Sequence, residues 1–222
     1  MKKKEIKKEE IGKENNITEA VFILDKSGSM AGMESDTIGG FNSLIEKQRK
    51  SGSDVLVTTI LFSNDSKTLH DRIRVDKVGK MTERQYSVGG CTALLDAIGG
   101  AICHIKDVHR YIRPEDVPAH TVFFITTDGL ENASREFTSD SVKKMIEEQK
   151  SKEGWEFVFI AADIDAVQTA GSIGIAPERA MSYKKSRKGT ANLYRCMSEA
   201  LDCVASGKQI DSNVAGILSE DD

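Results

Sequence analysis

Two apolar runs in this chain each stop at an aspartate, and this repeated pattern restricts the possible folds more than any other feature. Ala20-Val21-Phe22-Ile23-Leu24 leads into Asp25-Lys26-Ser27-Gly28-Ser29-Met30, and Thr121-Val122-Phe123-Phe124-Ile125-Thr126-Thr127 leads into Asp128-Gly129. A continuous Val/Ile/Leu/Phe run of this length, ending abruptly in small polar residues, reads as a buried strand emerging into a loop. Strands buried on both faces belong to mostly parallel sheets covered by helices on either side. In such sheets ligands bind beyond the carboxyl ends of the strands, so both aspartates fall where a site is expected.

The rest of the chain alternates between strand and helix patterns. Ser35 or Asp36 is expected to cap a helix through Ile38, Phe41, Leu44 and Ile45, with Lys47, Arg49 and Lys50 in its last turn and Gly52 as its stop. Residues 54–62 read as a second strand, 63–66 as a turn, and 67–75 as an antiparallel edge strand. Gly89-Gly90-Cys91-Thr92 opens a helix carried by Leu94, Leu95, Ile98, Ile102 and Ile105 and reaching about Val108. Further on, Val142, Met145 and Ile146 mark a helix and 155–162 a strand, and Asp163 or Asp165 caps a short helix. A weak strand falls near 181–183, and a final helix runs from Thr190 to about Val204. The expected architecture is α/β, with a mostly parallel central sheet, one antiparallel edge strand and helices on both faces. One domain over 18–205 is expected between a charged tail or helix at 1–17 and a tail at 206–222.

The formal charge of −4 offers no excess positive field for nucleic acid or anionic membranes. No run of about 18 apolar residues is present, and the first residues lack the apolar core of an export signal. A cytoplasmic protein with reduced thiols is the expectation for Cys91, Cys103, Cys196 and Cys203, none of which shows a Cys-x-x-Cys spacing. Cys103 is expected to pack within its helix.

Asp25, Ser27 and Ser29 place one carboxylate and two hydroxyls at alternate positions around a glycine. If the turn curls, three hard oxygens converge, which suits Mg²⁺ or Mn²⁺ better than zinc. Thr92 and Asp128 can meet them at the same end of the sheet. Taken singly, Asp-x-Ser-x-Ser and Asp-Gly are also ordinary turn chemistry. Together, Asp25-x-Ser27-x-Ser29, Thr92 in Gly-Gly-x-Thr and Thr127-Asp128-Gly129 resemble the metal-ion-dependent adhesion site of von Willebrand factor A domains, over roughly residues 18–205. The stretches at 36–42, 92–98 and 128–134 resemble small stand-alone bacterial members of that superfamily.

The resemblance implies a Rossmann-like three-layer fold. It also implies that Ser27, Ser29 and Thr92 give hydroxyl oxygens to a metal, and that Asp25 and Asp128 act directly or through water. The family's usual sixth ligand is an Asp or Glu side chain of a partner protein. Asp96, four residues past Thr92, is either an outer acceptor that orients the Thr92 or Ser27 loop, or a surface aspartate. Glu131 and Asn132 either line the rim or cap the turn after Asp128.

Rival chemistries fit less well. Ser27-Gly28-Ser29-Met30-Ala31-Gly32 lacks the close glycine pair of a dinucleotide site, and there is neither a nucleotide-triphosphate loop nor a Gly-x-Ser-x-Gly elbow. A Mg²⁺-dependent phosphohydrolase would want a second carboxylate where Ser27 stands, and a lysine near the phosphate. The expected function is therefore a metal-dependent protein-binding module without enzymatic activity. The alternatives are that phosphohydrolase, or a structural subunit whose metal site is not used for binding.

Overall fold

The computed structural model describes residues 15–219. The charged segment at 1–14 and the last three residues of the acidic end lie outside the described residues. Six strands form one sheet in the order β3-β2-β1-β4-β5-β6. They are β1 (Thr18–Asp25), β2 (Val55–Phe62), β3 (Ser66–Arg74), β4 (His120–Thr127), β5 (Glu156–Ala161) and β6 (Ala180–Ser182). Every neighbouring pair is parallel except β2 with β3, which closes one edge as a hairpin.

The continuous apolar runs follow from burial on both faces. Successive residues of β1 point to opposite sides, so Ala20, Phe22 and Leu24 join one core and Val21 and Ile23 the other. The first core is covered by α1 (Glu34–Ser51) and α5 (Arg187–Ala205), the second by α2 (Leu94–Tyr111), α3 (Ser139–Glu153) and α4 (Ala166–Ser172). In the first core the Phe22 ring stacks on Phe124 at 5.3 Å and meets Phe41 edge-on at 5.7 Å. Each such buried ring contributes about 2 kcal/mol through removal of apolar surface from water.

Several element ends differ from the sequence reading. α1 starts at Glu34, ahead of Ser35 and Asp36, and no side chain caps it. Gly52 ends it in the left-handed region at φ 74°, as the stop signal requires. α5 starts at Arg187, earlier than Thr190, because the Ser186 hydroxyl accepts the Gly189 N–H at 3.0 Å. Of the two candidate caps for α4, Asp165 fills the role, accepting the Gln168 N–H at 2.9 Å.

Residues 206–219, expected as part of a tail, include a further helix, α6 (Ser212–Gly216), and place Ile210, Val214 and Leu218 in the first core. All four cysteines are free thiols, and Cys103 faces solvent from α2 although packing was expected. No helix among the described residues is long and apolar enough to cross a membrane.

Candidate metal centre

Strand order reverses between β1 and β4, whose outer neighbours lie on opposite sides. Loops leaving the carboxyl ends diverge at such a point and open a crevice. Leu24 pairs with Thr126, so Asp25 and Asp128 leave the sheet at nearly the same level.

Asp25 is buried and held on both oxygens. Its Oδ1 accepts the Ser27 N–H at 2.7 Å, and its Oδ2 accepts the Thr127 hydroxyl at 2.7 Å. The buried Tyr86 hydroxyl donates to the Asp25 carbonyl, which fixes the backbone where the strand turns into the loop. Burial pushes the Asp25 carboxyl above the usual aspartate range, and the hydrogen bonds from Ser27 and Thr127 oppose that rise. The chain of oxygens continues outward. Ser27 Oγ lies 2.9 Å from Ser29 Oγ, and the Ser29 hydroxyl donates to Asp128 Oδ1 at 2.5 Å.

Thr92 arrives from the loop before α2. The Gly28 N–H donates to the Gly90 carbonyl at 3.0 Å and the Gly89 N–H to the Lys26 carbonyl at 2.8 Å, lacing the first two loops together. Asn132 clasps Thr92 from the third loop: its carboxamide oxygen accepts the Thr92 N–H at 2.9 Å, and its own N–H donates to the Thr92 carbonyl at 3.0 Å. Gly129 stands against both hydroxyl groups. A Cβ there would lie 3.4 Å from Ser29 Oγ and 3.4 Å from Thr92 Oγ1, so the two oxygens face one small space.

The structure thus brings Asp25, Ser27, Ser29 and Asp128 into one hydrogen-bonded chain and places Thr92 beside it. The hydrogen bonds of Asp96 go elsewhere, to the N–H groups of Arg135, Glu136 and Phe137 at 2.8 to 2.9 Å. Burial raises the Asp96 carboxyl, but these donors outweigh it and hold the group below its usual range. Glu131 accepts the Leu95, Ala133 and Ser134 N–H groups, so it caps both its own turn and the start of α2. Of these three outer candidates, Asn132 is the one bonded directly to a potential ligand residue.

Sequence reasoning missed Tyr86 and Lys185. Lys185 reaches in from the segment between β6 and α5. Its ammonium nitrogen lies 2.7 Å from Asp128 Oδ2, donates to the Ser29 carbonyl, and stands 4.0 Å from Asp163 Oδ2. The Asp128 contact is a short ion pair, and it makes the Lys185 ammonium the partner of the buried Oδ2. The pair Lys184-Lys185 carries no motif that marks either residue. Nearby, the Tyr183 hydroxyl is pushed up by burial and by the carboxylates of Asp128, Asp25 and Asp163.

These residues fit a small hard cation. Oxygens adjacent in an octahedral Mg²⁺ shell, at 2.0–2.1 Å from the ion, are about 2.9 Å apart. Ser27 Oγ and Ser29 Oγ have that spacing, 2.9 Å, and the Asp128 oxygen beside them already faces a cation, the Lys185 ammonium at 2.7 Å. The donors are two carboxylates and three hydroxyls. Among the described residues no group of three His, Cys, Asp or Glu side chains is arranged to hold a metal, so an ion at this centre would depend on the hydroxyls as much as on the two carboxylates.

No protein-family model matches the sequence, and no curated protein matches it. The fold is nonetheless shared with solved structures. Proximal thread matrix protein 1 from the mussel byssus superposes at a TM-score of 0.55 with 14% identity, over 85% of this chain and 46% of its own. Another structure of that protein has its adhesion-site motif occupied by zinc. A von Willebrand factor type A protein from Catenulispora acidiphila gives a TM-score of 0.56 at 12% identity, over 83% of this chain and 42% of its own. The corresponding domain of the type V pilus tip protein Mfa5 from Porphyromonas gingivalis gives 0.57 at 9% identity, over 86% of this chain and 94% of that one. This chain therefore has a fold of the von Willebrand factor A type. It spans less than half the length of the mussel and Catenulispora proteins.

Proposed function

We propose that this chain is a protein-binding module that holds Mg²⁺ or Mn²⁺ through Asp25, Ser27, Ser29, Thr92 and Asp128 and captures an acidic side chain of a partner protein. The observation that carries this reading is the convergence of five oxygen side chains from three loops, with the buried Asp128 Oδ2 facing a lysine ammonium at 2.7 Å. A divalent ion bound there supplies a coordination position for a carboxylate oxygen from outside. The chain's own residues set the geometry: Thr127 and the Ser27 N–H hold Asp25, Asn132 holds Thr92, and Gly129 leaves room between the hydroxyls. Leu130, 64% exposed directly after Gly129, gives the rim an apolar contact for a partner. The zinc-occupied motif of the mussel protein and the place of Mfa5 as a pilus tip protein support the reading.

A binding role is preferred to phosphoester hydrolysis. Both Asp25 oxygens are engaged as acceptors, which weakens the residue as a nucleophile, and Ser27 replaces the carboxylate that would act as general acid. Lys185 does supply the lysine such an enzyme would want, so turnover of generic phosphoesters is the direct control.

Calorimetric titration with Mg²⁺ tests the proposal. Binding should be measurable in the native chain and weakened about hundredfold in Asp128→Asn. A lysate pull-down in Mg²⁺ and in EDTA, with Asp25→Ala beside it, extends the test to the partner. Retention only with Mg²⁺ and intact Asp25 is expected. Retention unaffected by EDTA would make the centre structural.

A further inference from the structure

We propose that Lys185 is a tethered counter-cation of the metal centre, occupying the Asp128 oxygen in the metal-free chain and yielding it to a divalent ion. The inference rests on the metal-binding reading above and assigns a role to a residue outside the five ligands. Lys185 is pinned on both sides of its side chain. The Tyr183 N–H donates to the Ala161 carbonyl at 2.9 Å, and on the other side Ser186 opens α5, its hydroxyl accepting the Gly189 N–H at 3.0 Å and its carbonyl the Thr190 N–H at 2.8 Å. The backbone at 185 therefore has little freedom, and the long side chain is what moves.

The ammonium meets Asp128 Oδ2 at 2.7 Å, the Ser29 carbonyl, and Asp163 Oδ2 at 4.0 Å. Asp163 has a left-handed backbone, φ 56°, unusual for a residue other than glycine. Asp128 is fully buried at its side chain, whereas Lys185 remains 24% exposed. The lysine thus has a path to solvent and the aspartate has none. The Lys26 ammonium, from the first loop, donates to Ser63 Oγ at 3.1 Å.

Two consequences follow from charge. Without a metal, a buried carboxylate needs a partner, and Lys185 provides one that also ties the Ser29 loop to the Asp128 loop. With a divalent ion at the hydroxyls, like-charge repulsion expels the ammonium, which then stands at the rim next to exposed Asp163. Ion binding must displace it, so Lys185 raises the ion concentration at which the centre fills. Once displaced, it adds a second positive group beside the position where a partner's carboxylate arrives.

Calorimetry and thermal melting of Lys185→Met and Lys185→Arg against the native chain test this. Lys185→Met should bind Mg²⁺ about tenfold more tightly. It should also melt lower than the native chain in EDTA and recover the difference at saturating Mg²⁺. Lys185→Arg, which keeps the charge, should retain native-like affinity. Equal Mg²⁺ affinity and equal melting in EDTA for Lys185→Met and the native chain would overturn the tether while leaving the metal centre standing. Absence of Mg²⁺ binding in every variant would overturn the metal reading itself, and the tether with it.

Discussion

β1 has a buried carboxylate near each end, and the two are compensated by different means. Near its start, Glu19 is fully buried and faces the side chains of Arg72 and His109. Arg72 Nε donates to both of its oxygens at 2.9 and 3.0 Å, and His109 Nε2 lies 2.8 Å from Oε2. Arg72 sits at φ 49° next to a register shift in the β2–β3 hairpin, and its N–H is held by Thr58 Oγ1 at 3.1 Å. His109 is braced edge-on against Trp155 at 5.5 Å. At the other end, Asp25 and Asp128 meet mostly neutral hydroxyls and N–H groups, plus one lysine on a flexible stem. A carboxylate matched by packed side chains is closed to exchange. One matched by hydroxyls and a movable ammonium is left able to take a cation from solution.

The contrast can be broken most forcefully at the closed end. Glu19→Gln should cost about 3 kcal/mol, because it strands Arg72 without its counter-charge in a largely buried setting. Urea unfolding should show the same loss in Mg²⁺ and in EDTA. Rescue of the variant by Mg²⁺ would mean that the two ends are coupled and that the comparison is false.

The open end should respond to pH. The native Asp25 carboxyl lies above the usual aspartate range, so the folded chain holds that proton more tightly than the unfolded chain. The associated stability is fully present below the ordinary aspartate range and is lost as pH rises through the raised native value. In EDTA, the native chain should therefore lose urea stability relative to Asp25→Asn over that window. Parallel curves for the two proteins would show that Asp25 is better compensated than its burial indicates.

The smallest effect is expected at Gly129. A methyl there meets Ser29 Oγ and Thr92 Oγ1 at ordinary contact distance, so Gly129→Ala should change stability by less than about 0.5 kcal/mol. Mg²⁺ affinity should nonetheless fall about fivefold, since the methyl takes space between two ligand oxygens. Unchanged affinity by calorimetry would place the ion away from that side of the crevice.

Much of this was legible from local chemistry. The apolar runs 20–24 and 121–127 are strands because only a doubly covered sheet position buries every residue of such a run. The loose alternation of 67–75 belongs to an edge strand, β3, most of whose residues are exposed. Starts of helices were less legible where the cap is remote in sequence. α2 has no side-chain cap of its own; Glu131 serves its Leu95 N–H, and Ser134 serves its Asp96 N–H at 3.0 Å. α6 was missed because it is short and its apolar residues are few, and their burial comes from the core the rest of the chain builds.

By itself, then, the sequence determined the layers, the edge hairpin and the end of the sheet at which Asp25 and Asp128 emerge, since period, β-branching and turn residues act over a few positions. The tertiary structure alone decided that Asp96 and Glu131 serve the loop around α2, that Tyr86 fixes the Asp25 carbonyl, and that Lys185 reaches Asp128. Those contacts join residues tens of positions apart, and no local pattern encodes which polar group will face which once the sheet has brought its loops together.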